Sequence, residues 1–183
     1  MLPLAFPGRP HPRPARSSPA DLAYAAGYLS WPGGSARAAV GRSGVSTAKR
    51  EGDGATPSGT YAMLFGLYRA DRLLRPPTAL AMTVIEPDHI WIDNPADANY
   101  NRLESLPYPA HGERLWREDE LYDLLLVIGY NIDPTIPGAG SAIFLHVARP
   151  DFSPTEGCIA VAKDVLINVV GLLGPGSTIH IGA

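Results

Sequence analysis

Nineteen glycines and nineteen prolines punctuate a chain of 183 residues, and this punctuation constrains the fold more than any other feature. Proline removes a backbone donor and glycine weakens both helix and strand interiors, so elements must be short and turns many. Long helical bundles are excluded. The density stays below the ~25–30% that marks low-complexity sequence. With 45% hydrophobic residues, a chain of this length buries enough surface for one domain with a real core.

The apolar runs between these breaks have strand length. Residues 24–31 and 36–40 flank Pro32-Gly33-Gly34-Ser35 as strand, turn, strand. Residues 61–68, 78–85, 90–92, 124–130, 141–147, 158–161 and 178–181 read as further strands. Residues 41–60 are glycine-rich and charged, a loop by composition. Residues 93–111 read as a long irregular insertion, and such loops usually carry function. Two helices are expected, over 113–122 and over 162–173, the second ending at Gly174-Pro175. Residues 1–20 hold six prolines and three arginines with no acid, which predicts a flexible tail ahead of a single domain over 21–183.

Charge narrows the function. The net charge is −3, with no basic stripe for nucleic acid. No run approaches the ~18 apolar residues of a membrane span, and the proline-broken start makes a poor export signal. A lone cysteine, Cys158, excludes an internal disulfide and a cysteine zinc knuckle. His89, His111 and His180 show no ligand spacing, so no metal site or cofactor is expected. Residues 52–59 lack the lysine of a phosphate loop.

His146 and Cys158 stand out as a pair. His146 ends one apolar strand and Cys158 begins another, with Pro150, Pro154 and Gly157 between them to fold the chain back. A thiol with pKa near ~8.5 is a weak nucleophile at neutral pH until a base takes its proton. Gly157 lets backbone approach a substrate closely, and amides at such a turn can stabilise an oxyanion.

Thr155-Glu156-Gly157-Cys158-Ile159, with His146 upstream, resembles the signature of the L,D-transpeptidase catalytic domain. Thr56-Pro57-Ser58-Gly59-Thr60-Tyr61 resembles a second segment of that family. Gly41 to Gly44, Lys49 to Gly54, and Tyr130-Asn131 with 138–146 resemble one branch of it. The resemblance covers roughly residues 22–182. It implies a mainly β fold, a mixed β-sandwich or distorted barrel. It also implies acyl transfer on peptidoglycan stem peptides, as donor and acceptor, by a monomer in the periplasm or cell envelope. Cys158 would form a thioester as D-alanine leaves, and an acceptor amine would resolve it. His146 would be the base, its ring held by the Val147 carbonyl. The amides of Gly157 and Cys158 would face the oxyanion. Thr155, Tyr130 and Asn131 would belong to the substrate region. Hydrolysis at the same site, or stem-peptide binding without catalysis, are the alternatives.

Three positions depart from the family pattern. Glu156 stands where histidine is common, Val147 where glycine or serine is common, and Ala160 where most members carry arginine. A free carboxylate on the substrate favours a guanidinium fork, so Arg149 or Arg42 is expected to replace that arginine in the cleft.

Overall fold

A computed structural model describes residues 20–182; residues 1–19, most of the expected tail, lie outside them. The strands in chain order are β1 (Leu22–Ala25), β2 (Tyr28–Trp31), β3 (Gly34–Ala39), β4 (Val45–Ser46), β5 (Thr56–Pro57), β6 (Gly59–Tyr68), β7 (Met82–Val84), β8 (His89–Ile92), β9 (Leu103–Ser105), β10 (Gly112–Arg114), β11 (Leu124–Ile128), β12 (Phe144–Val147), β13 (Ile159–Val161) and β14 (Thr178–Ile181), with one helix, α1 (Lys163–Val170), between β13 and β14.

The main sheet runs β11-β12-β13-β3-β2-β1-β14-β6-β7 and closes because β11 also pairs with β6. The result is a mixed barrel of eight strands with β7 at its side. The length of β6 makes closure possible. Its first residues pair with β14 and its last with β11. Parallel pairs β1–β14 and β12–β13 sit among antiparallel neighbours. Closure leaves few free edges to recruit other chains.

All five residues of β11 are buried. Leu124, Leu126 and Ile128 face one core with Leu145, Ile159, Ile179 and the α1 residues Leu166, Val169 and Val170. Leu125 and Val127 face a second core with Leu67, Trp91, Leu115, Tyr122, Phe144 and Cys158. A strand buried on both faces reads as a continuous apolar run rather than an alternation, which is why this segment stands out in the sequence. The second core is roofed by a three-stranded sheet, β10-β8-β9. Phe144 is fully buried and meets Trp91 edge-on at 5.0 Å. Truncating a side chain buried like this costs about 3–5 kcal/mol.

The helix expected over 113–122 does not form. Residues 112–114 pair with β8 instead, and the carbonyls a helix would use internally are taken by arginines. Arg69 donates to Arg117 O at 2.7 Å; Arg72 donates to Asp119 O at 2.9 Å and Glu118 O at 3.0 Å. The expected strand over 24–31 is two strands, because Ala26 (φ 48°) and Gly27 (φ 84°) turn the chain between them. Both positive φ values are what a tight hairpin between twisted strands requires. The insertion over 93–111 contains β9 and is part of the roof. Thr178–Ile181 forms as expected, and the second helix is shorter than its pattern, capped at Gly171.

Candidate active site

The register of β12 and β13 brings histidine and cysteine together. His146 lies beside Ala160 in this parallel pair. Cys158 is two residues before Ala160, and side chains two apart share a sheet face. Cys158 and His146 therefore face the same way from adjacent strands, into the space between barrel and roof. Both line a cleft of about 480 Å³, together with Lys49, Glu51, Asp93 and Glu113.

The imidazole is locked. Nδ1 lies 2.8 Å from Val147 O, and a carbonyl can only accept, so Nδ1 carries the proton. The neutral ring then presents Nε2 as its basic nitrogen. Tyr122 packs edge-on against the ring at 5.3 Å. Burial drops the His146 pKa from 6.5 to about 4, so the ring is neutral at physiological pH. Burial also pushes the Cys158 thiol well up, and the nearby Glu113 carboxylate adds to this. The resting site is a neutral thiol beside a neutral base. The thiol donates to Ala142 O at 3.1 Å, and Phe144 N–H donates to the sulfur at 3.3 Å.

Two buried threonines fix the backbone at the nucleophile. Thr155 Oγ1 donates to Cys158 O at 2.6 Å and accepts from Gly157 N–H at 3.2 Å. Thr56 Oγ1 sits 3.5 Å from the same carbonyl and accepts from Gly41 N–H at 2.9 Å. This gives the Thr56-Pro57 segment its role: it is a brace for the nucleophile loop. Gly157 is required here, since it adopts φ +146° and a Cβ would sit 2.9 Å from Ala55 O.

The other residues singled out by sequence divide by position. Arg149 is exposed, lines the cleft and has no ion pair among the described residues. Arg42 is paired with Glu156, both largely exposed, and is not part of the cleft lining. Tyr130 and Asn131 also stand off that lining. Asn131 holds the loop over 131–140 through Ile136 O, Gly140 O and Ile136 N–H, and Tyr130 donates to Ala139 O at 2.6 Å.

Sequence reasoning missed Glu113, Tyr122 and Asn101, and marked Lys49 only as part of a family-like segment. Glu113 and Tyr122 were hidden in an apparent helix. Lys49 lines the cleft with its ammonium committed to Asp53 at 2.6 Å. Asn101, 1% exposed, accepts from Trp91 Nε1 at 2.9 Å and Ala142 N–H at 3.0 Å, and donates to the carbonyls of Tyr130 and Asn131. It thereby ties the roof to the residue whose carbonyl receives the thiol. No short motif marks Glu113, Tyr122 or Asn101.

No curated protein matches the chain. A family model for the L,D-transpeptidase catalytic domain matches residues 25–181, a span that contains every residue of the site above. Members of that family act on peptidoglycan. With most of the chain matched and the barrel carrying His146 and Cys158 at one cleft, the chain belongs to the L,D-transpeptidase catalytic-domain family.

Proposed function

We propose that the protein transfers acyl groups between peptidoglycan stem peptides through a thioester on Cys158. The observation that carries this reading is the shared sheet face of Cys158 and His146, with Nδ1 committed to Val147 O so that Nε2 is left basic. A base with a pKa below neutrality is fully unprotonated at pH 7 and ready to take the thiol proton.

His146 Nε2 takes the thiol proton as sulfur attacks the donor carbonyl. The thiol leaves its contact with Ala142 O to do so. The amides of Gly157 and Cys158 donate to the developing oxyanion, Gly157 exchanging its long contact with Thr155 for the stronger charged acceptor. The imidazolium returns the proton to the departing D-alanine amine. An acceptor amine then attacks the thioester, forming the crosslink. The substrate implies action in the cell envelope.

The test is incubation with tetrapeptide stems and with a carbapenem, read by intact-protein and product mass spectrometry. Wild type is expected to carry a covalent adduct and to release D-alanine with dimer formation; Cys158→Ala is expected to carry none. An adduct of equal mass on Cys158→Ala refutes the assignment. Tripeptide without dimer makes water, not an amine, the acceptor.

A further inference from the structure

Glu113 is the central residue of β10, opposite Trp91 of β8, and it lines the same cleft as Cys158 and His146. Tyr122 donates to its Oε1 at 2.5 Å. Oε2 has no hydrogen-bond or ion-pair partner among the described residues, yet no side-chain oxygen there is both buried and unpartnered. Oε2 is therefore accessible from the cleft. Of the cations lining the cleft, Arg117 is engaged with Asp119 at 2.8 and 2.6 Å and Lys49 with Asp53, while Arg149 makes no ion pair with Glu113. The same Tyr122 ring packs against His146 at 5.3 Å, so the carboxyl and the imidazole are braced on one side chain.

An acid here works against the first half of the proposed reaction, since its charge opposes a thiolate at Cys158. Its chemistry suits the second half. The acceptor enters as an ammonium, a cation that cannot attack until it loses a proton. We propose that Glu113 receives this ammonium on its free carboxylate oxygen and takes the proton, making it the base of the aminolysis step. The inference rests on the acyl-transfer reading above.

The protons balance. The ammonium gives one proton to Glu113. The amine nitrogen attacks the thioester carbonyl, the N–C bond forms, and the C–S bond breaks. The nitrogen's second proton passes through His146 to the departing sulfur, leaving an amide, a thiol, a neutral imidazole and a protonated Glu113 that returns its proton to water. Burial holds the Glu113 carboxyl above the usual carboxylate range; Tyr122 and Arg117 oppose this, while Asp93 and Glu51 add to it. A raised carboxyl is a better proton acceptor near neutrality than an exposed one.

The test measures the two halves separately in wild type, Glu113→Gln and Glu113→Asp, with thermal melting to show that each is folded. In Glu113→Gln, acylation by a carbapenem is expected to speed up at neutral pH, because a charge opposing the thiolate is gone. Dimer formation with an amine acceptor is expected to fall about 10²-fold, with product shifting to hydrolysed tripeptide. Hydroxylamine, uncharged at neutral pH, is expected to resolve the acyl-enzyme at similar rates in both. Glu113→Asp keeps the charge and is expected to recover part of the dimer yield. An unchanged ratio of dimer to tripeptide in Glu113→Gln, or a parallel fall in acylation and aminolysis, overturns the proposal. A wild-type acyl-enzyme that never yields dimer with any amine overturns the Glu113 role alone. A wild type that forms no acyl-enzyme overturns the reaction reading, and the inference with it.

Discussion

The buried, neutral His146 makes fold stability depend on acid. The perturbation is His146→Gln, a side chain that carries no charge at any pH. In the unfolded chain the imidazole titrates at its ordinary value of 6.5, whereas in the fold burial holds it at about 4. Between those values the unfolded state binds the proton and the native state does not, so acid favours unfolding. The contribution of the neutral ring is complete above pH 6.5 and is lost as pH falls toward 4. At about 1.36 kcal/mol per pH unit, and with the native ring half protonated at the lower limit, the loss is about 3 kcal/mol. The assay is urea unfolding of both proteins at pH 7.5 and pH 4. At a slope of ~2 kcal/mol per molar, wild type should lose about 1.5 M more in midpoint than His146→Gln over that range. Asp53, Asp119 and Asp151, whose carboxyls are held low in the fold, lose stability over a lower range in both proteins and subtract out. Midpoints that fall in parallel, within ~0.5 M, would refute a buried neutral imidazole.

Thr155→Val keeps shape but removes the hydroxyl that holds Cys158 O and Gly157 N–H. Leaving such groups unpaired costs about 1–3 kcal/mol, so its melting point should fall by about 2–12 °C and its acylation rate should drop. An unchanged melting point and rate would mean water replaces the hydroxyl without loss. Ala160→Arg, which restores the side chain common in the family, should destabilise by more than about 3 kcal/mol in chemical denaturation, because Ala160 is 1% exposed between His146 and Ala39 and an arginine there is both overpacked and charged. A folded variant of wild-type stability would show that β13 can open at this point.

The nucleophile and its base were legible because only eleven residues, Pro150, Pro154 and Gly157 among them, lie between the two, so one short motif carries both. The barrel strands were legible where burial is two-sided, as over β11, or ends at a clear breaker, as over β14. The turn at Ala26-Gly27 was not, because alanine in the left-handed region is not a turn signal. The false helix over 113–122 arose from charged residues whose carbonyls serve Arg69 and Arg72, partners about 47 residues away in sequence. Local composition carries no trace of such bonds. The acid side of the cleft was hidden for the same reason. Glu51, Asp93 and Glu113 come from three separate segments, and only the roof over the second core brings them together.

The departures from the family pattern form one consistent arrangement. Glu156 and Arg42 answer each other at the surface, and an exposed pair of this kind is worth about 0–1 kcal/mol, so it restrains Arg42 weakly. Ala160 is 1% exposed between His146 and Ala39 and brings no charge to the site. A carboxylate-binding cation for the proposed substrate is therefore expected elsewhere in the cleft. Arg149 is the candidate, lining the cleft three residues past His146, exposed and without an ion pair among the described residues. Its charge already reaches the imidazole, helping to hold the His146 pKa down. The cleft lining thus carries three cations, Lys49, Arg117 and Arg149, and four acids, Glu51, Asp93, Glu113 and Glu156; Lys49 and Arg117 are paired with Asp53 and Asp119, which leaves Arg149 as the lining cation without an ion pair among the described residues.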